Sequence, residues 1–260
     1  MKQTSLKLNL KPKQTEILTL LYRFRFLTRP QIQKIFKHKH HSRILNWLND
    51  LTQKQCINQS YDKKFISNPA IYSLAPLGRK YLKSIPEIKQ TLLSRVWRES
   101  KYSIQFQNHH LFLADIYLSL LTLTTKSKAK LHFHTKTDLS GMDHLIKPSP
   151  DAYFAIVEPD SNVKRYFLDI FDDLPPTVFR KRVRQYFRYY ASDEWQDNTD
   201  KPFPEIILIC PSTRIKNHLF YYIQKKLSRE PNMNIYLTTK ESILANGLNR
   251  QTLEKIEPKD

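Results

Sequence analysis

Glycine is almost missing from this chain: Gly78, Gly141 and Gly247 are the only three in 260 residues. A loop that wraps phosphates with its own backbone needs clustered glycines, because a missing Cβ lets the main chain approach the anion closely. The Gly-rich nucleotide-binding fingerprints are therefore excluded. Cysteine is scarcer still, with Cys56 and Cys210 alone. That removes a disulfide framework and a Cys-rich zinc site, and points to a reducing, cytoplasmic setting. No apolar run approaches the roughly 18 residues that span a bilayer, and the N-terminus MKQTSLKLNLKPK lacks an apolar signal core. Neither secretion nor a membrane partner is expected. The G-x-S-x-G and H-E-x-x-H motifs are also absent, so hydrolases of those two kinds drop out.

Negative charge is what the front of the chain lacks most. The first 84 residues carry 17 Lys or Arg against three acids (Glu16, Asp50 and Asp62), a net +14 of the chain's +19. The other 176 residues hold 26 bases and 21 acids. Solubility does not require charge to be segregated this way, so the pattern points to a polyanionic partner.

Hydrophobic spacing in the basic region predicts three short helices. Ile17, Leu18, Leu20, Leu21 and Phe24 follow Pro12 at helical intervals. Thr28-Arg29-Pro30 reads as a cap with proline in the first turn, ahead of Ile32, Ile35 and Phe36. The turn Lys37-His38-Lys39-His40-His41 then leads to Ser42, read as the cap of a third helix running to about Thr52. On it Ile44, Leu45, Leu48 and Leu51 form the buried stripe, opposite Ser42, Arg43, Asn46, Asn49 and Gln53. Strand-like runs at Cys56-Ile57-Asn58-Gln59 and Ala70-Ile71-Tyr72-Ser73-Leu74 flank a basic tip at Lys63 and Lys64. Helix, helix, helix and basic hairpin is the winged helix-turn-helix order, so residues 1–84 are expected to read duplex DNA. Arg43, Asn46 and Asn49, with Ser42, would face the bases. Arg29, Lys37, Lys39, His40, His41, Lys63 and Lys64 would sit on phosphates.

A polar connector is expected over 85–103, an α/β domain over 104–240 and a tail over 241–260. In the α/β part a long apolar helix from Ile104 precedes strand-like runs at Leu131–His134, Ala152–Val157 and Arg165–Ile170. A helix after Pro175-Pro176, a strand at Glu205–Cys210, a helix to Leu227 and a strand at Asn234–Leu237 complete the order. This order resembles the restriction-endonuclease-like core, whose PD-(D/E)XK motif holds a metal on two strand-borne acids. By that resemblance Asp151 and Asp169 are the candidate catalytic and metal-binding pair. Lys181 is the candidate catalytic lysine, since Phe171 stands where the motif's Lys belongs. Gln185 and Tyr189 are similar to the QxxxY pattern of RecB-like members. The run Arg180-Lys181-Arg182-Val183-Arg184 could grip DNA backbone without any chemistry, through Arg180, Arg182 and Arg184.

Taken together, the chain resembles the replication-relaxation family of plasmids and other mobile elements, over about Ile17 to Leu237. The resemblance rests on His109-His110-Leu111 with Ala114-Asp115, Lys147-Pro148-Ser149-Pro150-Asp151-Ala152 and Phe167-Leu168-Asp169-Ile170-Phe171-Asp172. Lys181-Arg182, Tyr186 and Tyr189-Tyr190 complete it. Asp151, Asp169, Arg182 and Tyr186 map onto the family pattern directly. The chain departs from it at Phe171, which occupies the second strand's Asp position, with Asp172 one residue late and so on the other strand face. The family implies DNA binding in replication, relaxation or transfer, beside other proteins of the same element, at the nucleoid or plasmid.

Three functional readings follow. The first is a DNA-binding maintenance protein that needs no cofactor and keeps a nuclease-like fold only for binding. The second is an endonuclease or nickase using Mg²⁺ or Mn²⁺ at Asp151 and Asp169. The third is a transcriptional regulator, which predicts a dimer on a palindromic site.

Overall fold

The computed structural model describes residues 8–61, 68–94, 96, 99–228 and 232–259. They form two compact units, Met1–Ala114 and Asp115–Asp260. The first unit thus extends beyond the boundary at residue 84 expected from sequence.

That unit opens with α1 (Pro12–Phe24), where proline starts the helix and the Gln14 side chain accepts from the Lys11 amide at 2.9 Å. Ile17, Leu18, Leu21 and Phe24 are fully buried along it. Arg25 adopts a left-handed φ of 67° and ends the helix before β1 (Phe26–Thr28). Thr28 then caps α2 (Arg29–Ile35) reciprocally: Thr28 Oγ1 accepts from the Gln31 amide, and Gln31 Oε1 accepts from the Thr28 amide at 3.0 Å. The third helix, α3 (His41–Gln53), has His40 as its N-cap. Ser42, expected as the cap, lies inside the first turn, because His40 is the last residue in an extended conformation. Ile44, Leu48 and Leu51 are fully buried, whereas Leu45 is 36% exposed. At about 100° per residue, Leu45 rotates off the stripe on which it was expected.

Two strands, β2 (Ile57–Ser60) and β3 (Ile71–Leu74), pair antiparallel, and β1 adds to the other edge of β3. β1 was not anticipated, since three residues are too few to show an alternating pattern. The helices α4 (Pro76–Leu82) and α5 (Gln90–Leu93) follow, then a 3₁₀ turn at Glu99–Lys101. The segment expected as a connector is therefore built into this unit. Glu99 is 1% exposed and accepts from Arg25 Nη2 at 2.6 Å and Nε at 3.1 Å. The Arg25 guanidinium in turn lies 4.8 Å from the ring centres of Tyr102 and Phe106.

A long helix, α6 (Ile104–Lys126), crosses the unit boundary. Beyond it come β4 (Lys130–Thr135), α7 (Lys136–Leu139), β5 (Ala152–Val157), β6 (Val163–Ile170), α8 (Pro176–Ala191) and α9 (Glu194–Thr199). Then follow β7 (Glu205–Cys210), α10 (Thr213–Leu227), β8 (Ile235–Thr239), α11 (Lys240–Asn246) and β9 (Glu254–Lys255). The six strands lie in chain order in one mixed sheet, parallel for β6, β7 and β8 and antiparallel elsewhere. Period-two alternation sends Ile206, Leu208 and Cys210 of β7 into one apolar layer with Phe179 and Val183 of α8 and Leu219 and Ile223 of α10. Residues 241–260, expected as a tail, hold α11 and β9, and β9 pairs with β8 through Leu237↔Glu254. No described helix is long and apolar enough to cross a membrane.

Gly78 has a steric reason to be glycine. It packs α4 against the Cys56 carbonyl, which accepts from the Ala75 amide at 3.0 Å, and a Cβ would collide with that oxygen. Gly78→Ala is expected to destabilise the protein by about 1–3 kcal/mol. Urea unfolding checks this, and an unchanged midpoint would mean that α4 can shift freely.

Candidate functional site

Two constellations carry the residues singled out from sequence. The first is α3 with the turn before it. His40, His41, Ser42, Arg43, Asn46 and Asn49 are all exposed, on the side of α3 away from Ile44, Leu48 and Leu51. The preceding turn is held by Gln33 Nε2, which donates to the His38 carbonyl at 3.1 Å and the Lys39 carbonyl at 3.3 Å. Lys37 takes a positive φ of 53° there, and both Lys37 and Lys39 are exposed. His38 packs edge-on against Trp47 with ring centres 5.4 Å apart, so it serves the turn's packing. Arg29 is half-buried and donates to Gln33 Oε1 at 3.0 Å. Lys63 and Lys64 lie outside the described residues.

The second constellation joins β5, β6 and α8. Antiparallel pairing of Ala152 with Leu168 brings Asp151 and Asp169 side by side. Each carboxylate holds the neighbouring strand's backbone. Asp169 Oδ1 accepts from the Asp151 amide at 3.4 Å, and Asp151 Oδ2 accepts from the Ile170 amide at 2.9 Å. Phe167, Asp169 and Phe171 alternate onto the α8 side of the sheet, so Asp169 points into an apolar layer. A buried carboxylate needs a countercharge, and α8 supplies it. Arg182 donates from Nε to Asp169 Oδ2 at 2.6 Å and from Nη2 to Oδ1 at 3.3 Å. Tyr186, one turn on, donates its hydroxyl to Asp169 Oδ2 at 2.8 Å. Arg182 Nη1 also reaches the Pro148 carbonyl at 2.7 Å. None of the four residues is more than 8% exposed.

Burial pushes the Tyr186 phenol well above its ordinary value, against the pull of the Arg182 charge, so the hydroxyl stays protonated and donates. Burial disfavours the charged form of Arg182, but Asp169, Tyr186 and Asp151 together outweigh it and hold the guanidinium above its ordinary value.

A metal fits this arrangement poorly. An ionised carboxylate offers about four lone-pair sites, and Asp169 accepts two bonds from Arg182, one from Tyr186 and one from the Asp151 amide. Any cation sharing Asp169 would have to displace Arg182 or Tyr186. Asp151 has its other oxygen 3.4 Å from Lys136 Nζ, a lysine whose side chain is 49% exposed. Among the described residues no group of three or more His, Cys, Asp or Glu is placed to hold a metal ion.

Several residues fall elsewhere than the motif resemblance implied. Lys181 is exposed and Gln185 half-buried. It is Arg182, about 100° further round the helix, that meets the acids. Arg182, expected on DNA backbone, is buried against Asp169 and is unavailable to phosphate. Arg180 is half-buried, donating from Nε to His218 Nε2 at 3.0 Å, while Arg184 is exposed. Phe171, at the position where the resemblance implied an Asp, is buried and stacks on Phe179 with ring centres 4.6 Å apart. Asp172 pairs with Lys240 at 2.7 Å, and Tyr189 donates to the His144 carbonyl at 2.9 Å. Lys136 and Lys240 had no sequence signal. The spacing Arg-x-x-x-Tyr opposite a strand acid was the signal for Arg182 and Tyr186.

Fold and site together define a mixed α/β protein of two units, one strongly basic and one with a buried acid–arginine–tyrosine cluster. The chain belongs to the replication-relaxation family, whose model matches residues 18–206. No curated protein matches it. Among solved structures it is similar to a mutant of ZitR from Lactococcus lactis, at 19% identity over 48% of this chain and 82% of that one. The TM-score of 0.26 is too low for that likeness to carry any argument.

The cluster predicts unequal mutational costs. Arg182→Ala leaves Asp169 charged and buried without a partner and is expected to cost about 3–5 kcal/mol. Tyr186→Phe removes one hydrogen bond to a charged acceptor and should cost about 1.5–3 kcal/mol. Denaturant midpoints followed by circular dichroism check both, and losses below about 1 kcal/mol for each would mean the cluster is effectively solvated.

Proposed function

We propose that this protein is a duplex-DNA-binding component of a mobile element, acting in its replication, relaxation or transfer. In this reading residues 8–82 are a winged helix-turn-helix and α3 is the recognition helix. The observation that carries it is the exposed row Ser42, Arg43, Asn46 and Asn49 on the domain with most of the chain's net positive charge. Arg pairs with the guanine edge and Asn with the adenine edge of the major groove, each by two hydrogen bonds. Lys37, Lys39, His40 and His41 in the turn before α3 would take phosphates, adding affinity without sequence information. The order α1, β1, α2, α3, β2, β3 supports the winged-helix assignment, and family membership supports the biological setting.

The second unit has the element order of a restriction-endonuclease-like domain, in which Asp151 and Asp169 would be the ancestral metal pair. Saturation of Asp169 by Arg182 and Tyr186, with Phe171 filling the next inward position, supports a domain that does not cut. Its strand ends serve as a structural clasp.

Duplex binding is expected to weaken steeply with salt, as counterion release requires, and to persist in EDTA. Arg43→Ala should cost about 1–3 kcal/mol on an element-derived site and relax its preference over random DNA. Lys39→Ala should weaken both DNAs alike. Fluorescence anisotropy checks these, and equal affinity of the unaltered protein for element and random sequence would contradict sequence reading. Supercoiled plasmid held with Mg²⁺ or Mn²⁺ should stay intact. Nicking that Asp151→Ala abolishes would overturn the non-cutting assignment.

A further inference from the structure

The second unit is nearly neutral as a whole, yet two of its helices contain no acid at all. α8 and α10 carry nine Lys or Arg and no Asp or Glu between them. The two pack side by side on the same sheet face, sharing the Phe179, Val183, Leu219 and Ile223 layer. Arg180 ties them together at their surface, bonded to His218 and lying 5.4 Å from the centre of the Tyr222 ring.

Two of the nine cations are already committed: Arg182 to Asp169 and Lys216 to Glu254 at 2.7 Å. On α8, Lys181, Arg184 and Arg188 are exposed at intervals of three and four, so they form one row. On α10, Arg214 and Lys225 are exposed, seven residues before and four after Tyr221, again on one flank. Tyr221 itself is 70% exposed, the most open of the large hydrophobic side chains in the described residues. Keeping an aromatic ring in water has no folding benefit, and this ring lies between Arg214 and Lys225 along α10.

We propose that the α8–α10 face is a second nucleic-acid site and that its ligand is single-stranded DNA. Phosphates require cations in a row without competing acids, which both helices supply. An exposed aromatic ring adds little against a duplex, whose base faces are already stacked. On a single strand the base faces are free, and one of them stacks on Tyr221. The site thus takes a strand whose sequence is not read, a role separate from the duplex binding proposed for the front domain. A protein that engages DNA while it is being opened would use both.

The test uses the full chain, with a labelled oligo(dT) and a labelled duplex measured separately by anisotropy. Tyr221→Ala should weaken oligo(dT) binding by about 5- to 150-fold, the range of one base-stacking contact, and leave duplex binding unchanged. Tyr221→Phe keeps the ring and should keep the affinity. The double variant Lys181→Glu, Arg184→Glu should weaken oligo(dT) binding and reduce its salt slope by about 0.7 per lost phosphate contact. Arg43→Ala should weaken the duplex and spare oligo(dT). If oligo(dT) does not bind at low salt, or binds equally well after Tyr221→Ala, the proposal is overturned and the face is left to a protein partner. An equal loss on duplex and oligo(dT) after Tyr221→Ala would overturn the single-strand assignment. If Arg43→Ala leaves duplex binding intact while the Tyr221 effects hold, only the front-domain reading falls.

Discussion

The second unit depends on how it solves the burial of one carboxylate. Asp169 sits between Phe167 and Phe171 on the inward side of β6, where an unpaired charge would cost several kcal/mol. Arg182 and Tyr186 meet that cost from α8, and the Asp151 amide meets it from β5. Buried pairs of this kind contribute little net stability over an apolar substitute, while loss of one partner is severe. Their structural effect is therefore specification. With Asp169 bonded to two elements and Asp151 returning a bond to the Ile170 amide, β5, β6 and α8 have one register in which all charges are satisfied. A slip of one residue would turn Asp169 to the other face and bring Asp172 inward.

The first unit contains a comparable device of different purpose. Glu99 is buried against Arg25, the residue whose left-handed backbone ends α1. Burial raises the Glu99 carboxyl above its ordinary value although the Arg25 charge opposes it. The pair anchors the segment after α5 beneath a domain whose other cations are mostly at the surface.

Legibility from sequence differed by element. α1, α2 and β7 were readable because amphipathic spacing, Thr28 with Pro30, and a run of β-branched residues each have a local cause. The residues of the acid cluster were readable as a family pattern, but their roles were not. Lys181 and Arg182 are adjacent, and only the rotation of α8 against β6 decides which one meets Asp169. Leu45 was misplaced for the same reason, its neighbours on α3 having the better angle to the core. The short strands β1 and β9 carry no periodic signal, and their existence depends on an edge of β3 and of β8 being available.

By itself the sequence determined what is additive and local: the charge imbalance, the lack of phosphate loops, the order of most elements and the residues of a candidate DNA-reading helix. It also placed Phe171 where the family resemblance implies an acid. The tertiary structure decided whatever depends on distance between segments far apart in the chain. It bonded the Asp151 and Asp169 carboxylates to each other's strand, moved Arg182 from the surface to the interior, and laid two acid-free helices against each other. The physical reason is that a carboxylate's chemistry is set by which donors fill its lone pairs. Those donors come from a helix whose rotation over the sheet is fixed only when the whole apolar layer packs.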